Sequence, residues 1–181
     1  MAPRPLTPAR IIVCMGVSSS GKTATGRAIA ERLDVGFLDG DDFHPPANKD
    51  KMRAGVPLTD ADRWPWLANL ARALREAAGK TGMAVGACSA LKRAYRDYLV
   101  AEAGEPILFV YLEGSQSLLA ERIASRHHEY MPASLLGSQF ATLEPPGPDE
   151  NVLTEPVTLS VAEIADRVVK AVAGLHGRHR P

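Results

Sequence analysis

The sequence has little cysteine, no net charge and no long apolar run. Its 181 residues include 2 cysteines, and 21 basic residues balance 21 acidic ones. Without an excess of positive charge, binding to nucleic acid or to an anionic membrane surface is disfavoured. No apolar stretch approaches the roughly 20 residues that cross a bilayer, and residues 1–10 lack the apolar core of a signal peptide. We therefore expect a cytoplasmic protein that binds neither nucleic acid nor membrane.

The length of the chain fits one ordinary domain with a substantial core. We assign residues 10–175 to that domain, and residues 1–9 and 176–181 to flexible ends. Cys14 and Cys88 each lie in an apolar run that predicts a strand, so we expect two buried thiols in a reducing compartment.

Apolar runs alternate with amphipathic segments along the chain. This alternation predicts an α/β fold, in which a sheet of buried parallel strands is covered by helices on both faces. Ser160 and Glu163 form a capping-box pattern before the last helix, and Gly174 is expected to end it. The predicted strands cover residues 11–15, 35–38, 83–88, 106–112 and 151–159, and the predicted helices cover 22–33, 63–78, 89–103, 115–127 and 160–173.

Two connections, 39–62 and 129–151, are longer than usual and rich in Pro, Gly, Asp and His. Long connections in a compact domain often carry function. We expect residues 39–66 to bind a substrate and residues 122–146 to form a lid. The alternative is that both are ordinary surface loops.

Residues 16–23, GVSSSGKT, match the phosphate-loop pattern G-x-x-x-x-G-K-[ST]. They stand between a predicted strand and a predicted helix, as that mechanism requires. Backbone N–H groups of such a loop cradle phosphates, Lys22 can reach the β- and γ-phosphates, and the Thr23 hydroxyl can ligate Mg²⁺. The sequence therefore predicts binding of ATP and Mg²⁺, and the alternative is a simple Gly/Ser turn.

Carboxylates cluster at the end of the second predicted strand, in the segment LDGDDFHP. Phosphoryl transfer to a hydroxyl needs a carboxylate to orient the nucleophile. We predict that Asp41 is this base and that Asp39 belongs to the metal shell, against the alternative of a solvated Asp/Gly turn. His44 and Arg63 are candidates to bind the acceptor, because an arginine can pair a carboxylate with two hydrogen bonds.

These motifs together resemble the thermoresistant-type gluconokinases over residues 11–169. The resemblance rests on the phosphate loop and on further segments of the sequence: LDGD with HP, KM with Gly55, PLTD, DRWPWL, CSALK with YRD, and SQF with LE. It implies an adenylate-kinase-like fold with strand order 2-3-1-4-5, a homodimer, and conversion of D-gluconate and ATP into 6-phospho-D-gluconate and ADP. That reaction feeds the pentose phosphate or Entner-Doudoroff route.

The resemblance also implies the residues of the site. Asp41, His44, Arg63 and Arg96 would surround gluconate, and Lys22, Asp41 and Arg126 would be catalytic. Ser19 departs from the family, which usually has glycine there, so nucleotide affinity is the property most in question. The implied nucleotide ligands are Gly16, Ser18, Ser19, Ser20, Gly21, Lys22, Thr23, Ala24, Arg122 and Arg126.

Two other functions stay open from sequence alone. One is a different small-molecule kinase of the same fold, acting on shikimate or a nucleoside monophosphate. The other is a nucleotide-binding regulator without turnover. Segment 39–67 favours a gluconate kinase over the first alternative, and turnover would exclude the second.

Overall fold

A computed structural model describes residues 5–125 and 133–177. All predicted strands and helices are present, and helices α2 and α6 form within the two long connections. The strands are β1 Ile11–Met15, β2 Phe37–Asp39, β3 Ala84–Ala87, β4 Ile107–Glu113 and β5 Val152–Pro156. The helices are α1 Lys22–Leu33, α2 Pro46–Arg53, α3 Asp60–Thr81, α4 Arg93–Ala103, α5 Gln116–Ser125, α6 Ala133–Thr142 and α7 Val161–Gly177, with a short 3-10 turn at Gly40–Phe43.

The strands form one parallel sheet in the order β2-β3-β1-β4-β5. This confirms the predicted class and strand order. Because every strand runs the same way, the carboxyl ends of all five meet at one edge of the sheet. In open α/β sheets this edge is where ligands bind.

Each face of the sheet is covered by its own layer of helices. Ile12 and Cys14 of β1 pack with residues of α1 and α7 on one face, including Ile29 and Val168. Alternate residues of β1, Ile11 and its neighbours, pack with α3 and α4 on the other face. Every residue of β1 is buried, which is why its sequence is apolar throughout instead of alternating.

Both cysteines are buried and free, as predicted. They lie in the core clusters of opposite faces of the sheet. Burial raises the pKa of each thiol to about 12. Both therefore pack as small apolar groups.

Several helix ends differ from the predicted ones. α3 begins at Asp60, because the Thr59 hydroxyl accepts from the Asp62 N–H and the Asp62 carboxylate accepts from the Thr59 N–H. α4 begins at Arg93, since residue 90 has a φ of 42° that interrupts a helix. α7 runs to Gly177, so the expected end at Gly174 is wrong.

The ends of the domain are tied to its body. Thr7 donates its N–H to the Asn151 side chain at 2.8 Å, and the Asn151 amide donates back to the Thr7 carbonyl at 3.1 Å. Ala9 is buried. The ordered fold therefore starts before residue 10. At the start of α7, the Ser160–Glu163 capping box is confirmed.

No helix among residues 5–125 and 133–177 is long and apolar enough to cross a membrane.

Candidate active site

The phosphate loop leads from β1 into α1 through backbone conformations that suit few residues. Gly16 has a φ of 139° and Gly21 a φ of 93°, both in the range that glycine adopts readily. Ser19 has a φ of 63°, which is strained for a residue with a side chain. No side chain in the described chain caps the start of α1, so its first N–H groups remain available to an anion.

The phosphate loop is joined to the segment that follows β3. The Cys88 N–H donates to the Cys14 carbonyl at 3.0 Å, which extends the ladder between β1 and β3. One step further, the Gly16 N–H donates to the Ser89 carbonyl at 3.2 Å. The start of the phosphate loop is thereby fixed against residues 89–92, which we call the β3 loop.

The predicted metal ligands lie side by side. The Thr23 hydroxyl donates to Asp39 Oδ2 at 3.0 Å. Asp39 Oδ1 in turn accepts from the Asp41 N–H at 3.1 Å and caps the 3-10 turn. One hydroxyl and one carboxylate are the hard oxygen donors that Mg²⁺ prefers, so these two residues fit that ion. Among the described residues, no cluster of three or more His, Cys, Asp or Glu side chains could hold a metal.

Gly40 lets the acidic turn sit close to the sheet. A Cβ at this position would lie 2.4 Å from the Ala87 carbonyl oxygen and 3.2 Å from Leu70 Cδ2. The buried Trp66 also fixes the turn, because its indole N–H donates to the Gly40 carbonyl at 2.6 Å. Trp66 is 4% exposed and therefore belongs to the core.

Lys22 and Asp41 share one electrostatic environment. Burial lowers the pKa of Lys22, and the nearby carboxylates of Asp41 and Asp39 oppose this shift. The protein around Asp41 raises the pKa of its carboxyl by reducing hydration, and repulsion from Asp39 and Asp42 adds to the rise. The Asp41 side chain nevertheless still faces solvent. A carboxylate with a raised pKa, open to an incoming hydroxyl, has the properties of a general base.

His44 lies next to Asp41. Its Nε2 lies 3.9 Å from Asp41 Oδ1, and its ring stacks on Trp66 with centroids 4.0 Å apart. The Asn48 amide lies 3.4 Å from His44 Nδ1. Burial, together with the positive charges of Lys49 and Arg63, lowers the pKa of His44 to about 4. His44 is therefore neutral at pH 7.

Arg63 belongs to a charged group at the start of α3. Its guanidinium donates to the Leu58 carbonyl at 2.6 Å and lies 3.7 Å from Asp60. Lys92 of the β3 loop also pairs with Asp60, at 3.0 Å. Both cations lie over the ring of Tyr95, at 5.7 Å for Arg63 and 5.4 Å for Lys92.

Comparison with known proteins identifies the family. A family model described as AAA domain matches residues 11–146. A gluconokinase of Gluconobacter oxydans is 51% identical over 144 residues, 80% of either chain. The thermoresistant gluconokinase of Escherichia coli is 41% identical over 140 residues, 77% of this chain and 79% of the relative. The chain belongs to the gluconokinase family.

A solved gluconokinase from Sinorhizobium meliloti superposes with a TM-score of 0.82 at 42% identity, covering 97% of this chain and all of that one. The whole described fold is therefore that of the gluconokinases. The predicted resemblance to this family is confirmed.

The family resemblance implies two arginines at the nucleotide site, and the structure describes one of them. Arg122 of α5 donates to the carbonyl of Val157, just after β5. Arg126 lies outside the described residues. A cleft of about 630 Å³ opens beside Val157, between the ends of β4 and α6. Its lining includes Tyr111, Gly114, Ser115, Leu118, Phe140, Leu143, Val157 and Thr158.

Arg96 is held inside this gluconokinase fold by a buried ion pair. Its side chain is 1% exposed and pairs with the 7% exposed side chain of Glu150 through two hydrogen bonds of 2.6 and 2.9 Å. Its remaining nitrogen donates to the carbonyls of Ala90 and Leu91 at 3.1 and 3.3 Å. These contacts fix the β3 loop.

Sequence reasoning missed several residues that shape the site. Glu150 was not predicted as a partner of Arg96. Asn48 also went unassigned, and so did Gln139, whose side chain reaches the phosphate loop. Asp60 and Lys92 complete the charged group around Tyr95, which only the folded arrangement of α3 and α4 brings together.

Proposed function

We propose that this chain transfers the γ-phosphoryl group of ATP to a hydroxyl of D-gluconate, giving 6-phospho-D-gluconate and ADP. The observation that carries the proposal is the meeting of Lys22, Thr23, Asp39 and Asp41 at one end of the sheet, in a chain of the gluconokinase family. The proposed phosphate site and the proposed general base, Asp41, are thereby neighbours.

The donor side consists of the phosphate loop, Lys22 and Thr23. Backbone N–H groups at the start of α1 bind phosphate oxygens, and Lys22 neutralises charge that develops on the transferred group. Thr23 and Asp39 would hold Mg²⁺, Asp39 through water. When bound, this ion would offset the negative charge of the phosphate groups.

The acceptor side consists of Asp41, His44 and Arg63. Asp41 accepts the proton of the 6-hydroxyl. At the same time the hydroxyl oxygen bonds to the γ-phosphorus, and the bond from that phosphorus to ADP breaks. Neutral His44 offers a ring nitrogen to an acceptor hydroxyl. Arg63 supplies the positive charge that a sugar acid requires.

Arg96 acts on the acceptor side through the backbone. With its guanidinium bound to Glu150 and to two carbonyls of the β3 loop, it positions the loop that carries Lys92. Arg122 acts on the nucleotide side, because Val157, which it binds, lines the cleft next to α6. That cleft is suited to the adenine base, and Arg126 is expected to approach the transferred phosphate.

The substrate assignment is tested with a panel of acceptors. ADP release is measured with gluconate, gluconate epimers, shikimate and nucleoside monophosphates. We expect the highest kcat/KM for gluconate. A preference for shikimate or for a nucleotide would refute the assignment.

The catalytic role of Asp41 is tested by replacing it with asparagine. Asp41→Asn removes the base and should lower kcat by about 10²–10⁴-fold while ATP still binds. Asp42→Asn is the matched control, since it removes the adjacent carboxylate. A regulator without turnover would be indicated if wild-type protein binds ATP but releases no ADP with any acceptor.

We also infer a homodimer in the cytoplasm, as the family resemblance implies. A mass measurement in solution by light scattering would test the dimer. A single-chain mass at working concentrations would contradict it.

A further inference from the structure

A side chain of α6 reaches into the phosphate loop. The side-chain carbonyl of Gln139 accepts a hydrogen bond from the Ser18 N–H at 2.6 Å. The bond is partly buried and joins residues 121 positions apart. Gln139 thereby links α6 directly to the third residue of the loop.

The family resemblance assigns Ser18 of the phosphate loop to nucleotide binding. Consecutive backbone N–H groups in a loop of this conformation point into one concavity, where phosphate oxygens accept from them. At Ser18, the amide oxygen of Gln139 accepts this hydrogen bond in place of a phosphate oxygen. Lys22 is engaged in the same way, because its ammonium donates to the Val17 carbonyl at 2.9 Å.

The position of Gln139 is set by the packing of α6. Leu136 is 1% exposed, and Phe140 and Leu143 pack against the core cluster on the α1 side of the sheet. Just beyond α6, the Glu144 N–H donates to the Leu91 carbonyl at 2.8 Å. Gln139 is thus presented to the loop by an anchored helix, which gives it a high effective concentration there.

We propose that Gln139 is an internal competitor of the nucleotide: it holds the Ser18 N–H in the empty enzyme and must give up this group to a phosphate oxygen of ATP. The proposal rests on the proposed function, because it assumes that the loop binds the triphosphate. Occupying the N–H also holds the loop in its binding conformation between turnovers. The enzyme then gives up some affinity for ATP, and the same competition favours release of the nucleotide from the phosphate loop.

Equilibrium binding of MgATP without gluconate tests the proposal. Gln139→Met keeps the length of the side chain and removes the acceptor, so MgATP should bind about 3- to 10-fold more tightly. Gln139→Glu places a carboxylate on the same N–H and repels the triphosphate. Its affinity should fall by about 10-fold or more, and the loss should shrink as salt is raised.

Gln116→Met on α5 is the matched control and should leave the affinity unchanged. Thermal unfolding verifies that each variant is folded, and Gln139→Asn replaces the methionine variant if that one is not. Weaker or unchanged binding by folded Gln139→Met would overturn the proposal, since it would mean that Gln139 assists the phosphate or is indifferent to it. Failure of wild-type protein to bind MgATP at all would instead contradict the proposed function.

Discussion

The buried pair of Arg96 and Glu150 gives the sharpest prediction about stability. Burial alone would raise the pKa of Glu150, but hydrogen bonds from Arg96 and from the Gly147 N–H bring it below its usual value. Replacing Arg96 by methionine leaves this carboxylate buried with the single N–H of Gly147. Removing one partner of a buried pair costs about 3–5 kcal/mol of unfolding free energy.

Urea unfolding at pH 7 measures this loss. Arg96→Met and Glu150→Leu should each be strongly destabilising, whereas the double variant should lose less than the sum by about 2 kcal/mol or more, because it leaves no unpaired charge. The neighbouring pair of Arg93 and Asp149 is the control, since each side chain is 46% exposed. Arg93→Met should lose no more than about 1 kcal/mol.

The pH dependence of the unfolding free energy also reports on the pair of Arg96 and Glu150. The folded-state pKa of Glu150 is depressed, so its stabilisation is complete above its ordinary value near 4.5 and is lost as pH falls through the folded pKa. Arg96→Met should lack this step. The reasoning would be refuted if Arg96→Met unfolded like wild type but raised KM for gluconate while Glu150→Gln did not, because Arg96 would then be a substrate ligand.

Three further variants test other parts of the site. Gly40→Ala places a Cβ 2.4 Å from a backbone oxygen and should lower the unfolding free energy by about 1–3 kcal/mol; Gly36→Ala, with open space around its Cβ, should not, as urea unfolding will reveal. His44 has a folded pKa of about 4 against 6.5 unfolded, so acidification across this window should lower stability by at most about 3 kcal/mol. Urea unfolding at pH 7 and pH 4.5 should show a smaller drop for His44→Phe, and equal drops would count against this effect. Ser19→Gly relieves a φ of 63° and should add about 0.5–1 kcal/mol. Asp34→Gly relieves a similar φ of 54° away from the loop, so a change of ATP affinity only in Ser19→Gly would separate a loop effect from a general gain in stability.

The sequence predicted what depends on short stretches of chain. The apolar run of β1 and the loop after it contain their own signals, and Thr23, Asp39 and Asp41 do lie together. Helix α2 was missed because its sequence, PANKDKMR, has no apolar stripe. The start of α3 was missed although Thr59 and Asp62 formed a recognisable cap.

Contacts between distant segments were beyond sequence reasoning. A contact with gluconate, which stays a prediction, is what the family resemblance implies for Arg96. Its pairing with Glu150, 54 residues away, depends on how the segment after α6 packs on α4. The bond from Ser18 to Gln139 likewise joins two ends of the fold that no local pattern connects.

The hydrogen bond from Gly16 to the Ser89 carbonyl has a consequence for how this enzyme can move. It extends the hydrogen-bond ladder between β1 and β3 beyond the ends of these strands. The phosphate loop, which binds the donor, and the β3 loop, which borders the acceptor, therefore form one rigid unit. If these two loops moved apart to separate the reactants, the hydrogen bonds between β1 and β3 would have to break, beginning at the carboxyl ends of the strands. Motion during turnover is therefore expected in parts of the enzyme that this hydrogen bond does not join.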